Sequence, residues 1–172
     1  TVNGASEDLT EYGDLHVREG GQVNLSNGTL KVHNFTLDAA LSGTKGGVHQ
    51  NAASGQVANP TKLDVRGDAY FVLTIDPADA LTYGWYDFTV PFEVEISNGI
   101  YRYGENTPMR NGVDFVVMEY SESRRATGAR GWVNASGTLQ PGRAYTIGLD
   151  KWEYTTYVFK KKAGSYATGT NS

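Results

Sequence analysis

Between residues 14 and 37 the apolar side chains come in pairs one residue apart: Leu15 with Val17, Val23 with Leu25, Leu30 with Val32, and Phe35 with Leu37. Alternate side chains of an extended strand share a face, whereas helix neighbours lie three and four residues apart, so the pattern belongs to strands. Glu19-Gly20-Gly21 and Ser26-Asn27-Gly28 fall between pairs, and an Asn-Gly step supplies the positive φ angles of a tight turn. Short strands thus recur every five to eight positions. Either a meander of hairpins or the coils of a β-solenoid accommodates such recurrence. We favour the solenoid-like arrangement, although the spacing drifts and no strict repeat is visible.

From Leu41 to Pro60 the sequence turns to Gly, Ser, Ala and Asn. Such a stretch buries too little apolar surface to form a core element and reads as a long surface loop. Strands are expected again at Lys62–Val65 and Asp68–Ile75. Tyr70-Phe71-Val72-Leu73-Thr74-Ile75 is apolar on both faces, which places it centrally in a sheet. Asp76-Pro77 ends this first segment, residues 1–76.

The second segment, 77–172, is richer in aromatic residues. In Gly84-Trp85-Tyr86-Asp87-Phe88-Thr89-Val90-Pro91-Phe92-Glu93-Val94-Glu95-Ile96, Tyr86, Phe88 and Val90 share a face, and Phe92, Val94 and Ile96 resume the register past Pro91. Proline lacks the ladder N–H, so a bulge, an edge or a break is expected there. Further strands are expected at Ile100–Tyr103, Val113–Tyr120, Gly131–Asn134, Ala144–Leu149 and Tyr154–Lys160, with Asn98-Gly99 and Asn111-Gly112 as turns. Such a series of short strands predicts a β-sandwich. With 21 glycines, 11 tyrosines and 2 methionines, the composition agrees with an all-β chain of twisted strands and tight turns. Edges shared between the two segments would hide strand groups that otherwise invite aggregation.

The strand Gly84–Val94 and the later Leu139-Gln140-Pro141-Gly142-Arg143-Ala144-Tyr145-Thr146-Ile147 together resemble a pattern in large secreted and surface proteins of Bacteroidetes-type bacteria. There a tryptophan-led strand ending in proline and phenylalanine is followed some fifty residues later by a leucine, glycine and tyrosine turn-strand. Gly-Gly-Gln-Val-Asn-Leu and Asn-Gly-Thr-Leu-Lys-Val, upstream, are similar to the β-rich stretches that precede it. The resemblance implies export, a β-rich fold and an adhesin- or stalk-like role at the cell surface, and it carries no catalytic residues.

Several classes of function are disfavoured directly. The chain lacks cysteine, which removes disulfides, cysteine-ligated zinc and a thiol nucleophile. A net charge of −4 supplies no basic field for nucleic acid. No apolar run approaches the roughly 18–20 residues that span a bilayer, so any membrane attachment is expected outside this segment. Thr1 follows no charged-then-apolar leader and the ending is small and polar, so we read the chain as an excised or processed piece.

Candidate chemistry is sparse. His16, His33 and His49 are spaced 17 and 16 residues apart and could stack in a solenoid of that period to ligate zinc or copper, but no local metal spacing exists and no metal or cofactor is assigned. Glu93 and Glu95 share a strand face while Asp114 and Glu119 lie on another strand, and a glycosidase would need two such carboxylates facing across a cleft. No nucleophile elbow is present, so no catalytic residue is named and an enzyme is not expected. Asn24, Asn27, Asn34 and Asn134 begin glycosylation sequons, which an Asn- and Thr-rich composition also produces by chance.

Binding is the better prospect. Arg124, Arg125 and Arg130 lie in a mixed-charge stretch, Ser121–Gly131, that reads as a mobile loop and could meet a sulfated or sialylated glycan. Indole and phenol rings are apolar platforms with polar rims, suited to sugars and to protein partners. Trp152, flanked by charges, is the residue expected to be exposed, and a coplanar ligand-binding pair would join it to Trp132 or Tyr154; Trp85 opens an apolar strand and is assigned to the core. The expected role is structural display or adhesion at the cell surface or in secreted form, toward a glycan or a host or cell-surface protein. The alternative is a carbohydrate-binding module. A fibre segment of a virion would share the composition and would show itself by obligate trimerisation.

Overall fold

A computed structural model describes residues 13–18, 20–24, 30–44, 47–50, 56–58, 63–65, 67–75, 85–149 and 156–163. Strand makes up 52% of the structure and one five-residue helix is present among the described residues, so the chain is all-β, built from several sheets.

The first segment holds β1 (Leu15–Val17), β2 (Gln22–Asn24), β3 (Leu30–Val32), β4 (Phe35–Thr44), β5 (Gly47–Gln50), β6 (Gln56–Ala58), β7 (Leu63–Val65) and β8 (Ala69–Ile75). β1, β2 and β3 do not pair with one another. Each runs parallel to a strand of the next pass of the chain: β1 with β4, β2 with β6, β3 with β7. β4 in turn runs parallel to β8. Inward residues at matching register positions therefore stack, Val17 opposite Leu37 and Leu37 opposite Phe71, and all three are buried.

Among the described residues no solenoid is detected, and β1, β2 and β3 do not pair with one another as a meander would require. The described strands β1, β2 and β3 instead meet partners in the following pass of the chain. A solenoid requires about three or more stacked units. Among the described residues the β1–β4–β8 stack is three strands deep but the β2–β6 and β3–β7 stacks are only two, and β8 gives its other edge to an antiparallel partner. The loop expected over Leu41–Pro60 is also corrected. Leu41–Thr44 pairs antiparallel with Gly47–Gln50, and β6 lies beyond. Backbone pairing of this kind needs no apolar side chains, which is why composition missed it.

The second segment contributes β9 (Trp85–Phe88), β10 (Val94–Glu95), β11 (Ile100–Arg102), β12 (Phe115–Tyr120), the helix α1 (Glu122–Ala126), β13 (Trp132–Asn134), β14 (Thr138–Leu139), β15 (Tyr145–Leu149) and β16 (Thr156–Lys160). β16 pairs with β8, so the first segment's sheet continues into the second as β1-β4-β8-β16-β11, with β5 attached to β4. β8 is central in it, as its two-faced apolar sequence requires. A four-stranded sheet runs β13-β12-β15-β9, and β10 pairs with β14.

From Tyr86 to Ile96 every second residue is buried: Tyr86, Phe88, Val90, Phe92, Val94 and Ile96. The alternation persists while the strand breaks at Val90-Pro91 and the chain passes from the four-stranded sheet to the β10–β14 pair. Phe159 of β16 joins the sheets. Its ring lies 5.2 Å from Phe88 of the four-stranded sheet and 5.7 Å from Phe71 of its own. One hydrophobic cluster draws on both sheets and both segments, and the alternate residues of β8 and β16 on the other face are partly exposed.

Candidate functional site

Two places on the open faces concentrate aromatic and polar side chains. The first is the connection between β12 and β13. Tyr120 and Trp132 are cross-strand partners, their rings edge to face with centroids 5.4 Å apart. Gly131 makes this possible: a Cβ there would stand 2.4 Å from Cε2 of Tyr120, so the tyrosine ring occupies the space that any larger residue would fill. The N–H of Ser121 donates to the carbonyl of Gly131 at 2.7 Å and closes the connection.

Within that connection, 121–131 is ordered by α1 and is not the open loop expected from its charges. Glu122 begins the helix, and Arg124 and Arg125 occupy its last turn, the arrangement that the helix dipole favours. The hydroxyl of Thr127 donates to the carbonyl of Arg124 at 2.8 Å. No residue of α1 is buried, so Arg124 and Arg125 face solvent on the same connection that carries Trp132, which is 39% exposed. Trp152 and Tyr154 lie outside the described residues.

Trp85 is not a core residue. It is 45% exposed while Tyr86 beside it is fully buried, because the register of β9 turns the even positions inward. The indole instead covers its cross-strand partner Gly148, where a Cβ would meet the ring at 3.1 Å. A large aromatic residue over a strand glycine shields backbone that would otherwise be bare. Trp85, Tyr120 and Trp132 all project from the outer face of the four-stranded sheet.

Two of the four carboxylates singled out by sequence are held by separate arginines. Asp114 accepts from the backbone N–H of Arg110 at 2.8 Å and from Arg102 at 3.3 Å; the Arg110 backbone hydrogen bond, chiefly, holds its carboxyl below the usual range. Glu119 accepts from Arg143 at 3.2 Å. Glu93 and Glu95 lie at and beside β10 on a different sheet. The histidines do not converge: His33 stands next to Asp14 and Asn34, and His16 pairs with Asp38. His49 falls in β5, where its side chain is outside the described residues. Among the described residues no group of three or more His, Asp or Glu side chains is placed to hold a metal ion, and no helix is long and apolar enough to cross a membrane.

The second place was not foreseen from the sequence. On the open face of the six-stranded sheet lies a groove of about 490 Å³ running across β1, β4, β8 and β16. Val72 and Val158, register partners on β8 and β16, form its floor. On one side Nε2 of His16 lies 2.9 Å from both carboxylate oxygens of Asp38. On the other side Tyr103, just past β11, is anchored by its backbone N–H to the carbonyl of Thr156 at 3.0 Å, and the residue is 67% exposed. The hydroxyls of Thr74 and Thr156, also register partners, stand 3.4 Å apart.

Tyr70 of the lining forms a triad with Asp68 and Lys160. The tyrosine hydroxyl and Nζ of Lys160 each donate to Oδ2 of Asp68 at 3.0 Å, and Nζ also lies 5.7 Å from the centre of the Tyr70 ring. Burial pushes the Asp68 carboxyl up, but the two hydrogen bonds and the charges of Lys160 and Lys161 outweigh it and hold the group below its ordinary value. Lys160 is raised, chiefly by its hydrogen bond to Asp68. Tyr70 is raised by burial first and then by the same carboxylate.

The signal for this groove was present in the polar half of the alternation, at His16, Thr36, Asp38, Tyr70 and Thr74. Cross-strand register alone brings those positions onto one surface. Comparison with protein-family models, with curated proteins and with solved structures finds no match to this chain.

Proposed function

We propose that this chain is a non-catalytic segment of an exported surface protein, of the kind its Trp85-led strand and Leu139–Ile147 stretch resemble, and that it serves in display or adhesion. The observation that carries the reading is the outer face of the four-stranded sheet. Trp132 and Tyr120 stand edge to face above a glycine, with Arg124 and Arg125 on the short helix of the same connection. Aromatic rings and arginines are the side chains that dominate contact energy at recognition surfaces. The tilted ring contact of Phe88 with Phe159 across the two larger sheets supports reading them as a sandwich, a rigid support for such a surface.

The test is a screen of the chain on a glycan array and on an array of cell-surface proteins, repeated with Trp132→Ala and with Arg124→Ala/Arg125→Ala. Binding to either array that falls about tenfold or more in these variants supports adhesion at this connection. Glycan capture alone shifts the role to a carbohydrate-binding module. Capture unaffected by all three substitutions, or cleavage of a captured glycan, overturns the reading.

A further inference from the structure

We propose that the groove on the six-stranded sheet is a binding site for a neutral saccharide, with Tyr103 as the stacking platform and Asp38, Thr74 and Thr156 as the hydrogen-bonding groups. It lies on the opposite sheet from Trp132 and does not depend on the adhesion reading. A sugar ring is amphipathic, with a C–H face and a rim of hydroxyls, and the groove offers the complement of both. Tyr103 is largely exposed and its backbone is pinned to β16, so the platform is preset, and Val72 and Val158 extend the apolar surface beneath it.

Around that surface stand groups with hydrogen-bonding capacity to spare. A carboxylate has about four lone-pair sites, and His16 approaches Asp38 with one nitrogen, leaving acceptor positions for a pair of neighbouring sugar hydroxyls. Thr74 and Thr156 lie at the long limit of a mutual hydrogen bond, and each hydroxyl can both donate to and accept from a ligand. The groove's volume falls within the range of small-molecule sites.

Charge selects against anionic sugars. Asp38 contributes a carboxylate to the lining, and Lys160, whose ammonium lies by the ring of the lining residue Tyr70, is committed to Asp68 at 3.0 Å. Among the described lining residues the basic side chain, His16, is already engaged with Asp38 at 2.9 Å, so a sulfated or sialylated ligand would meet a carboxylate, whereas a neutral one carries no charge to be repelled.

The chain is titrated with neutral gluco-, manno- and xylo-oligosaccharides and with a heparin-derived oligosaccharide, followed by backbone amide chemical shifts and by calorimetry. The expected result is that a neutral oligosaccharide moves amides in 36–38, 72–74 and 156–158. Tyr103→Ala should weaken this binding about tenfold without altering the melting curve, Asp38→Asn should weaken it as well, and Trp132→Ala should leave it unchanged. Shifts confined to the Tyr120–Trp132 connection, saturation by the heparin fragment alone, or no groove response to any neutral sugar at millimolar concentration would overturn the proposal. The first of these outcomes would leave the adhesion reading standing.

Discussion

The backbone N–H of Asp68 donates to the side-chain oxygen of Asn34 at 3.0 Å, while the amide nitrogen of the same Asn34 side chain donates to Asp14 at 3.0 Å. Asp14, Asn34 and Asp68 each stand one residue before a strand, and the first residues of those strands, Leu15, Phe35 and Ala69, are register partners. One asparagine thus ties together equivalent points in three successive passes of the chain. Its neighbours add a backbone ladder, with Leu15 N–H to Asn34 carbonyl and Phe35 N–H to Asp68 carbonyl. The amide that would accept a glycan in Asn34-Phe35-Thr36 is the one engaged with Asp14.

Replacing this asparagine removes both bridges and leaves the part-buried Asp68 N–H without its acceptor. Asn34→Ala is expected to destabilise the chain by about 1–3 kcal/mol, read from urea unfolding. Asn34→Asp keeps the acceptor for Asp68 but sets a second carboxylate against Asp14, so it should recover part of the loss at acidic pH and little at neutral pH.

The Asp68–Lys160 ion pair has a defined pH window. Asp68 binds protons less readily folded than unfolded, so its contribution is complete above the ordinary aspartate value of 3.8 and is lost as pH falls through the lowered folded value. Lys160 is shifted upward, so its contribution is complete below 10.5 and is lost as pH rises through the raised folded value. Both side chains are more than a third exposed, which keeps the effect modest. The stability difference between wild type and Asp68→Asn should hold level across neutral pH and shrink at both extremes; a difference that grows in acid would contradict this assignment.

Thr89 carries a buried hydroxyl oxygen with no hydrogen-bond partner among the described residues. A desolvated polar atom without a partner costs stability, and a methyl group of the same shape removes that cost. Thr89→Val is therefore expected to raise the unfolding free energy by about 1 kcal/mol, with no change in the denaturant dependence of unfolding.

Phe159 is completely buried between Phe71 and Phe88. Truncation at this junction should cost about 3–5 kcal/mol in Phe159→Ala and visibly less in Phe159→Leu. Because the ring bridges both larger sheets, loss of near-ultraviolet dichroism and loss of strand signal should coincide on heating; separate transitions would mean that the sheets do not unfold together.

Much of the local structure was legible in the sequence. The inward set from Tyr86 to Ile96 was readable because alternation is intrinsic to an extended chain, and it survives the break at Pro91. The central place of β8 followed from Phe71 and Leu73 on one face and Tyr70 and Val72 on the other. Trp85 was misplaced because apolar bulk was weighed above register; by parity it belongs outside. The helix α1 escaped notice because five residues are too few for a helical period to declare itself.

The sequence by itself determined the all-β character and which side of each strand faces inward, since both follow from backbone geometry acting over two or three residues. Only the tertiary structure decided that β1 pairs with β4 and not with β2, that Gly148 lies beneath Trp85, and that His16, Asp38, Thr156 and Tyr103 share a groove. Those relationships join residues from roughly twenty to more than a hundred positions apart, and they are set by which strand edges meet when one core closes, a competition among many pairings that local alternation satisfies equally well.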